Sequence, residues 1–394
     1  MSCHEQSNYW SVAVLLSGRE QFSPYFGGAV ARWTHEVYSR LSGRVAVTVF
    51  GFPTKEKDLY PLPHDTSGVW RGCDVVARIP LARRYEENLW LRALIGRLRK
   101  FDIVHIHNRP QWVTVLRGMG FEGAIVLHLH NDHLGHWAAT SLDDLAPKLN
   151  AVAVCSEYLR STFASKSAAL NCKTRVVYNG VDRQLFYPRE EFREPKTIFF
   201  VGRFDAQKGV LQLVRAYERV LDEHADAKLV IGGTTGFGIH RETPYVRQVR
   251  ELARSLIQHK KAQIHFPGYL DHDRDLPLQF QRATIFASPS LFQEPFGLVN
   301  AEAMACATTV VGADRGGIPE VIGDAGLLVD PGNVQKFSAV ISDLLTKSEY
   351  CRKLGEAGYE RCRKIFDWRL TAENWIKLLD FVMGAETSAL ISQG

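Results

Sequence analysis

The sequence predicts an α/β protein with two doubly wound domains, each built on a parallel sheet between helices. The chain has 394 residues, about two and a half times a typical domain length. Short β-branched runs alternate with segments of helical period from end to end, the pattern of parallel sheets flanked by helices. Because the runs divide into six in each half, we expect two sheets.

Each element is predicted from its local pattern. The strands expected in the first half are 12–16, 45–50, 103–106, 124–129, 151–154 and 175–178. Those expected in the second half are 198–201, 228–231, 263–266, 284–287, 308–311 and 327–329. After Asp330 the period becomes helical, which predicts helices at 334–345, 348–365 and 367–383.

The segment 183–196 is the predicted boundary between the halves. It is charged, contains two prolines and follows neither period. We therefore expect an N-terminal domain at 1–182, a hinge-like linker at 183–196 and a C-terminal domain at 197–366. Ligands of such folds bind at the carboxyl ends of the strands, so a cleft between the domains is the expected site.

Composition and charge exclude several classes of protein. Hydrophobic residues at 45% and charged residues at 23% are typical of globular chains and exclude a collagen-like or largely disordered protein. The net charge of +5 lies entirely in residues 1–182, which hold 21 Lys and Arg against 16 Asp and Glu. This predicts either an anionic partner, such as a phosphate-bearing ligand or a membrane surface, or only a slightly cationic surface.

The sequence also predicts the compartment. Seven cysteines occur without a C-x-x-C pair, which favours reduced core thiols over disulfides or a zinc site. The first residues lack the pattern of a secretory signal, and no run approaches 18 apolar residues. We therefore expect a cytoplasmic protein whose contact with membranes is at most peripheral.

One helical segment, 85–101, bears on that contact. It has an apolar stripe surrounded by basic residues, formed by Leu91, Leu94, Ile95 and Leu98. Such a helix either packs its stripe against a sheet or lies on an anionic bilayer. Packing is favoured because a predicted strand follows immediately.

Two loops have the features of phosphate-binding sites. Gly27 and Gly28 precede a helical segment after the first strand, where backbone N–H groups favour an anion. A simple turn is the alternative for this pair. In the loop after the strand at 198–201, Arg203 and Lys208 flank the start of a helix, and the two cations could converge on a diphosphate. Their alternative is two solvated side chains.

Two carboxylates form the most informative pattern. Glu294 follows a predicted strand, and Glu302 lies eight residues later among small and apolar residues of a helix that begins near Gly297. A buried carboxylate is costly unless it binds a partner. The pair could hold the hydroxyls of a sugar and a ribose on either side of a phosphate. A helix cap and a buried ion pair are the alternative.

These spaced motifs resemble glycosyltransferase family 4, the retaining nucleotide-sugar enzymes with the GT-B fold of two Rossmann-like domains facing across a cleft. Glu294 and Glu302 resemble the E-x7-E signature of that family. Supporting matches are the segments 178–182, 201–209, 316–321 and 326–329. The resemblance covers nearly the whole chain and is dense from 176 to 330. It also implies that the last helix, within 367–394, crosses back to the N-terminal domain.

The resemblance implies roles for individual residues. Glu294 would bind the donor sugar, Glu302 would bind the ribose, and Arg203 and Lys208 would neutralise the departing diphosphate. The remaining donor contacts implied are backbone groups of Gly27, Gly28, Phe296, Gly297 and Leu298. No metal or other cofactor is implied.

Histidines at two strand ends have competing interpretations. His128, His130, His133 and His136 could in isolation form a metal site, but no acidic or thiolate pattern accompanies them. By resemblance His130 lies near the donor sugar; a strand-end histidine satisfied by the backbone is the alternative. His107 and Asn108, in a segment that resembles the D-x-x-H-x-H strand of the family, are assigned to the acceptor side.

The function implied is transfer of a hexose-type sugar from a UDP- or GDP-sugar to an acceptor hydroxyl with retention, in polysaccharide or glycoconjugate biosynthesis. The acceptor is a carbohydrate, a lipid-linked or a small molecule, and no nucleic acid is expected as a partner. One alternative is a nucleotide-sugar epimerase or sugar phosphorylase of the same fold. Another is an inactive coat-type relative, which the segment 108–110 resembles. A Rossmann dehydrogenase is disfavoured because no G-x-G-x-x-G opens the first βα turn.

Overall fold

A computed structural model describes residues 10–16, 20–24, 28–51, 59–61, 68–69, 82–235 and 242–384, with side chains at all of these except 68–69 and 82–87. The chain divides into two compact units. The first unit is Met1–Gly180 together with Trp368–Gly394, and the second unit is Val181–Asp367. The predicted fold class is confirmed, since each unit holds a parallel sheet flanked by helices.

The sheet of the first unit has seven strands in the order β3-β2-β1-β4-β5-β6-β7. The strands are β1 (Trp10–Leu15), β2 (Val45–Gly51), β3 (Gly68–Val69), β4 (Ile103–His107), β5 (Ala124–Leu129), β6 (Ala151–Val154) and β7 (Thr174–Val176). The expected count of six is wrong because β3 is too short to have a sequence period. The strand order reverses between β1 and β4, the position where doubly wound sheets bind ligands.

In the described stretches of the N-terminal part, six α-helices accompany the first sheet. They are α1 (Ala29–Arg40), α2 (Ala82–Leu98), α3 (Pro110–Gly118), α4 (Ala139–Leu145), α5 (Glu157–Ala164) and α6 (Ala168–Cys172). In α2, Leu91, Leu94 and Leu98 are buried, so the apolar stripe packs inward as favoured from the sequence. No helix within the described part of the chain is both long and apolar enough to cross a bilayer.

The sheet of the second unit has six strands in the order β10-β9-β8-β11-β12-β13, as predicted in number. They are β8 (Thr197–Val201), β9 (Lys228–Gly232), β10 (Gln263–Gly268), β11 (Ile285–Ser288), β12 (Thr309–Ala313) and β13 (Leu327–Val329). Its helices are α7 (Val210–Val220), α8 (Pro244–Lys260), α9 (Asp275–Arg282), α10 (Leu298–Ala305), α11 (Ile318–Ile322), α12 (Val334–Thr346) and α13 (Ser348–Ile365). Here the order reverses between β8 and β11.

The last helix, α14 (Trp368–Val382), belongs to the first unit, as the resemblance implies. It packs on α1, where the fully buried ring of Trp375 meets Trp33 edge-on at 4.9 Å between centroids. Asp380 accepts a hydrogen bond from the indole N–H of Trp10 at 3.0 Å. Helix α14 therefore completes a core begun by residues more than 300 positions earlier.

The segment expected as a linker, 183–196, is instead a fixed part of the second unit. Phe186 is buried against Phe280, with 6.0 Å between ring centroids. The guanidinium of Arg193 donates to the carbonyl oxygens of Phe280, Ala283 and Cys306. Charge and prolines suggested a loose connector, but these carbonyl groups anchor it, and the chain passes between units at 180–181 and 367–368.

Candidate active site

The loop after β8 carries both predicted cations. Arg203 is exposed and pairs with Asp205 at 3.3 Å, while the Asp205 carboxylate also accepts the backbone N–H of Lys208 at 3.1 Å. Gly209 follows with φ +70°, and a Cβ there would lie 1.9 Å from the carbonyl oxygen of Pro289. Only glycine allows this approach, which sets the β8 loop against the loop after β11.

Lys208 and Glu294 form an ion pair in which Nζ lies 2.7 Å from Oε1. The side chains are only 17% and 14% exposed, so water screens the pair weakly. The hydroxyl of Ser290 donates to the other carboxylate oxygen, Oε2, at 2.7 Å. Two residues predicted separately thus meet at the carboxyl ends of β8 and β11, where the strand order reverses.

The backbone around Glu294 is held by a glycine turn. Gly317 donates its N–H to the carbonyl oxygen of Glu294 at 2.7 Å, and Gly316 donates to the side chain of Gln293 at 2.6 Å. Gly316 has φ +61°, and a Cβ there would lie 2.3 Å from the Glu294 carbonyl oxygen. The turn therefore positions the carboxylate through main-chain contacts.

Helix α10 begins just beyond Glu294. Gly297 caps it with φ +82°, a conformation that glycine adopts without strain, and Leu298 is its first residue. The ring of Phe296 is buried and meets Phe366 at 5.6 Å between centroids. Phe296 thus offers a ligand its backbone only, which is the role the resemblance implies for it.

Glu302 lies on α10 with only 3% of its surface exposed. Its Oε1 is 2.9 Å from Nε2 of His272, whose Nδ1 lies 2.7 Å from the Asp273 carboxylate. The second oxygen, Oε2, is buried and has no hydrogen-bond partner among the described residues. Glu302 therefore keeps one acceptor oxygen uncommitted. The sequence reasoning missed His272, although a His-Asp pair in the loop after β10 was its signal.

The N-terminus of α1 in the first unit already holds a carboxylate from the chain itself. Oε1 of Glu20 accepts the backbone N–H groups of Gly28 at 3.1 Å and Ala31 at 2.8 Å. Burial raises the pKa of Glu20 despite these hydrogen bonds. The Gly28 N–H predicted to meet a diphosphate is thus engaged by Glu20, which the sequence analysis missed. Gly27 lies outside the described residues.

Histidines from two neighbouring strands line one face of the first sheet. His105 and His107 alternate along β4, His128 lies on β5, and His130 follows it; the register places His107 beside His128. Nδ1 of His107 lies 3.0 Å from Nε2 of His130. Asn108, with φ +53°, accepts the backbone N–H of His130 through its side-chain oxygen at 2.8 Å.

These histidines are neutral near pH 7. Burial, with a contribution from His133, lowers the pKa of His130 to about 3. Burial and the neighbouring imidazoles hold the pKa values of His105, His107 and His128 well below the usual range. His107 is fully buried beneath His130, so only His130, which is half-buried, borders solvent. His107 and Asn108 therefore support His130.

The histidine cluster meets one requirement of a metal site and departs from another. Ligand atoms of His105, His107 and His128 lie within 4.8 Å of one another. However, His105 and His128 are stacked with 22° between ring planes, whereas ligands direct their in-plane lone pairs at one point. Both nitrogens of His107 also have protein partners. The geometry is that of packed imidazoles.

Family models and known proteins match both units of the chain. Residues 182–361 match the family model described as glycosyl transferases group 1, and residues 26–185 match that of glycosyltransferase family 4. The chain is 29% identical over 392 residues to spore coat protein SA of Bacillus subtilis, covering 94% of this chain and 99% of that protein. It is 30% identical over 278 residues to the uncharacterized glycosyltransferase MJ1607 of Methanocaldococcus jannaschii, covering 63% and 67%.

Solved structures share the architecture at low identity. Sucrose-phosphate synthase from Thermosynechococcus elongatus has a TM-score of 0.75 at 20% identity, covering 96% of this chain and all of that one. Anabaena HepE in complex with UDP-glucose has a TM-score of 0.71 at 18% identity, covering 94% and 100%. The fold is therefore that of the GT-B glycosyltransferases. With the two family models, this shows that the chain belongs to glycosyltransferase family 4, as a group 1 glycosyltransferase.

Proposed function

We propose that the protein is a retaining glycosyltransferase that moves a hexose-type sugar from a UDP- or GDP-sugar to an acceptor hydroxyl in polysaccharide or glycoconjugate biosynthesis. The observation that carries the proposal is the Lys208–Glu294 pair at the switch point of the second sheet. A cation beside a carboxylate suits a donor that presents both a diphosphate and sugar hydroxyls. The fold neighbour HepE, which binds UDP-glucose, supports this donor class.

The chemistry follows from charge. As the bond between sugar and diphosphate breaks, negative charge develops on the leaving phosphate, and Lys208 and Arg203 stabilise it. The acceptor oxygen bonds to the anomeric carbon on the face that the diphosphate leaves, which retains configuration, and the leaving phosphate oxygen takes the acceptor's proton. Because two side-chain cations supply the positive charge, we propose that no divalent metal is needed.

Glu294 and Glu302 divide the recognition of the donor. Glu294, fixed by Ser290 and the Gly316–Gly317 turn, binds a sugar hydroxyl. Glu302 binds the ribose through Oε2, which has no described partner. The backbone of Phe296, Gly297 and Leu298 lies between the two carboxylates along the chain and binds the sugar and phosphate.

Calorimetry against UDP, GDP, ADP and their sugar conjugates tests the site without requiring an acceptor. We expect one nucleotide to bind saturably with or without EDTA, and to bind more weakly to Lys208→Ala and Glu302→Ala. Lys228→Ala is the matched control, since Lys228, the first residue of β9, is a cation of the same unit that pairs with Glu194 instead. Equal losses in the control and in Lys208→Ala would contradict the site.

Product analysis tests the reaction class. A retaining transferase yields the donor's anomeric configuration in the product, which proton NMR reads from the anomeric coupling. An epimerase would instead convert the donor sugar with no acceptor present. A sugar phosphorylase would require inorganic phosphate or a sugar phosphate.

A structural role is the second candidate. Spore coat protein SA is similar over 94% of this chain, and its name describes a coat component. A protein of this kind would keep the fold without turnover. Absence of binding to every nucleotide in the calorimetric series would favour the structural role over the transferase.

We also propose a cytoplasmic location, with contact to an anionic membrane at the basic first half as the route to a lipid-linked acceptor. The thiols of Cys155, Cys306, Cys351 and Cys362 are buried and form no disulfide, which fits a reducing compartment. The guanidinium groups of α2 and the turn after it, at Arg92, Arg97 and Arg99, supply cations on that half. Flotation with vesicles that contain or lack phosphatidylserine tests the contact, and no difference between the two would contradict it.

A further inference from the structure

A short chain of hydrogen bonds runs from α1 to the half-buried histidine at the end of β5. The hydroxyl of Thr34 donates to the carbonyl oxygen of Val30 at 2.9 Å. The same oxygen, Oγ1, lies 3.2 Å from Nε2 of His107. Nδ1 of His107 lies 3.0 Å from Nε2 of His130. Thr34 and His107 are both fully buried, so water does not compete for these contacts.

The positions of the protons follow from counting donors. A hydroxyl has one proton, and that of Thr34 is used on Val30, so Oγ1 can only accept from His107. Nε2 of His107 therefore carries the proton of the neutral ring, and Nδ1 is the acceptor. Nε2 of His130 must then donate to it. Consequently Nδ1 of His130 is unprotonated, and this nitrogen has no hydrogen-bond partner among the described residues.

We propose that Thr34 and His107 are positioning residues that fix His130 in the tautomer whose Nδ1 accepts a hydrogen bond from a substrate hydroxyl. The inference rests on the proposed function for its substrate, a sugar, but not for its proton assignment. A neutral imidazole has one donor and one acceptor nitrogen, so the protein must choose which of them faces the ligand. Here Thr34 on α1, acting through His107, determines which nitrogen of His130 is protonated.

The surroundings keep the arrangement neutral. Burial holds the pKa of His107 well below its usual range and that of His130 at about 3, so at pH 7 neither ring carries the second proton. A protonated His130 would have two donor nitrogens and no acceptor. Asn108 fixes the backbone of the same residue by accepting its N–H at 2.8 Å. The backbone position and the protonation of His130 are thus set by different neighbours.

A second pair in the same cluster provides a matched control. Tyr38, also on α1, contacts Nδ1 of His105 through its hydroxyl at 3.0 Å and accepts the indole N–H of Trp375 at 3.1 Å. His105 is fully buried and is not hydrogen-bonded to His130. Tyr38→Phe therefore removes a buried hydroxyl from the same helix and the same strand without touching the chain that ends at His130.

The decisive experiment is long-range proton–nitrogen NMR on the full chain labelled with ¹⁵N-histidine, without substrate. His130→Gln assigns the resonances of His130. We expect wild type, Thr34→Ser and Tyr38→Phe to carry the His130 proton on Nε2. In Thr34→Val, His107 loses its acceptor, and we expect the proton of His130 to appear at least partly on Nδ1. A wild-type proton on Nδ1, or an unchanged tautomer in Thr34→Val, would overturn the inference.

Kinetics give the second readout. We expect Thr34→Val to lower the rate of transfer at saturating donor about tenfold, the effect of one lost hydrogen bond to the reacting substrate, with donor affinity nearly unchanged. Thr34→Ser should restore the rate. Equal rates in Thr34→Val and Tyr38→Phe would overturn the link to the substrate. A wild-type protein with the expected tautomer and no transfer would overturn the proposed function instead.

Discussion

The polar sites of the two units lie at the ends of adjacent strands in similar sheets, β8 and β11 in one and β4 and β5 in the other, and are built from different chemistry. In the second unit, charged side chains are paired on loops that glycines hold in place, as at Lys208, Glu294 and Gly316. In the first unit, neutral imidazoles are buried on the strands themselves, as at His107 and His128. The comparison teaches that similar sheets can carry either kind of site, and that the residues at the strand ends decide whether it handles charge or hydrogen bonds.

The largest expected effect is unequal acid sensitivity of the two units. The pKa values of His105, His107, His128 and His130 are lowered by burial, so below pH 6.5 the unfolded state binds more protons than the folded state. Stability of the first unit should fall as the pH drops below about 6.5, by roughly 1.4 kcal/mol per histidine and pH unit, until the folded pKa is reached. Above pH 6.5 the effect is absent.

Hydrogen exchange resolved by peptide at pH 7, 6 and 5 measures this difference. Protection in β4 and β5 should be lost at higher pH than protection in β8 and β11. In His128→Phe the difference in acid sensitivity between the two units should decrease by the contribution of one histidine. The substitution breaks no hydrogen bond, because neither ring nitrogen of His128 has a partner among the described residues. Equal acid sensitivity of the two units would contradict the assignment of neutral histidines.

The next largest effect is expected from variants that disrupt the charged site of the second unit. We expect Glu294→Ala and Lys208→Ala each to lower kcat/KM about 10²- to 10³-fold, because each removes a group that meets charge or hydroxyls in the transition state. Circular dichroism should show an intact fold, and Lys228→Ala should keep the wild-type rate. Turnover like that of wild type in either site variant would remove that residue from the mechanism.

A glycine substitution tests whether the charged site depends on its backbone. Gly209→Ala should destabilise the second unit by roughly 3 kcal/mol, since it combines a positive φ with a Cβ 1.9 Å from the Pro289 oxygen. Gly43→Ala is the control; it has φ +93° but nothing within 4 Å of the added Cβ, so roughly 1 kcal/mol is expected. Thermal unfolding measures both. Equal shifts would mean that the close approach of the two loops costs nothing.

The smallest effect concerns the partner of Glu302. His272→Ala should weaken donor binding about fivefold to tenfold with little change in rate at saturation, because the buried carboxylate loses the contact to Oε1. His272→Gln, which keeps an N–H donor, should recover most of the affinity. Calorimetry and steady-state kinetics separate the two quantities. A loss confined to kcat would place His272 in the chemical step.

Much of the fold could be predicted because buried parallel strands are β-branched and helices have their own period. The two-residue strand β3 has no period to detect. Contacts between residues far apart in sequence could not be predicted either. His272 contacts Glu302 from 30 residues away, and Glu20 accepts a hydrogen bond from Gly28 across a loop. The pairing of His107 with His130 was accessible in principle, since alternation on adjacent strands puts both on one face. The prediction of a linker at 183–196 was wrong because charge alone does not reveal the carbonyl groups that accept hydrogen bonds from Arg193.

The position of α14 has a consequence for biosynthesis. The second unit is one uninterrupted stretch, Val181–Asp367, whereas the core of the first needs Trp375 from the last helix. On the ribosome the N-terminal residues emerge first, yet their core stays incomplete until α14 has been translated, more than 300 residues later. The second unit can therefore finish folding first, and its nascent partner exposes the apolar face of α1 during that interval.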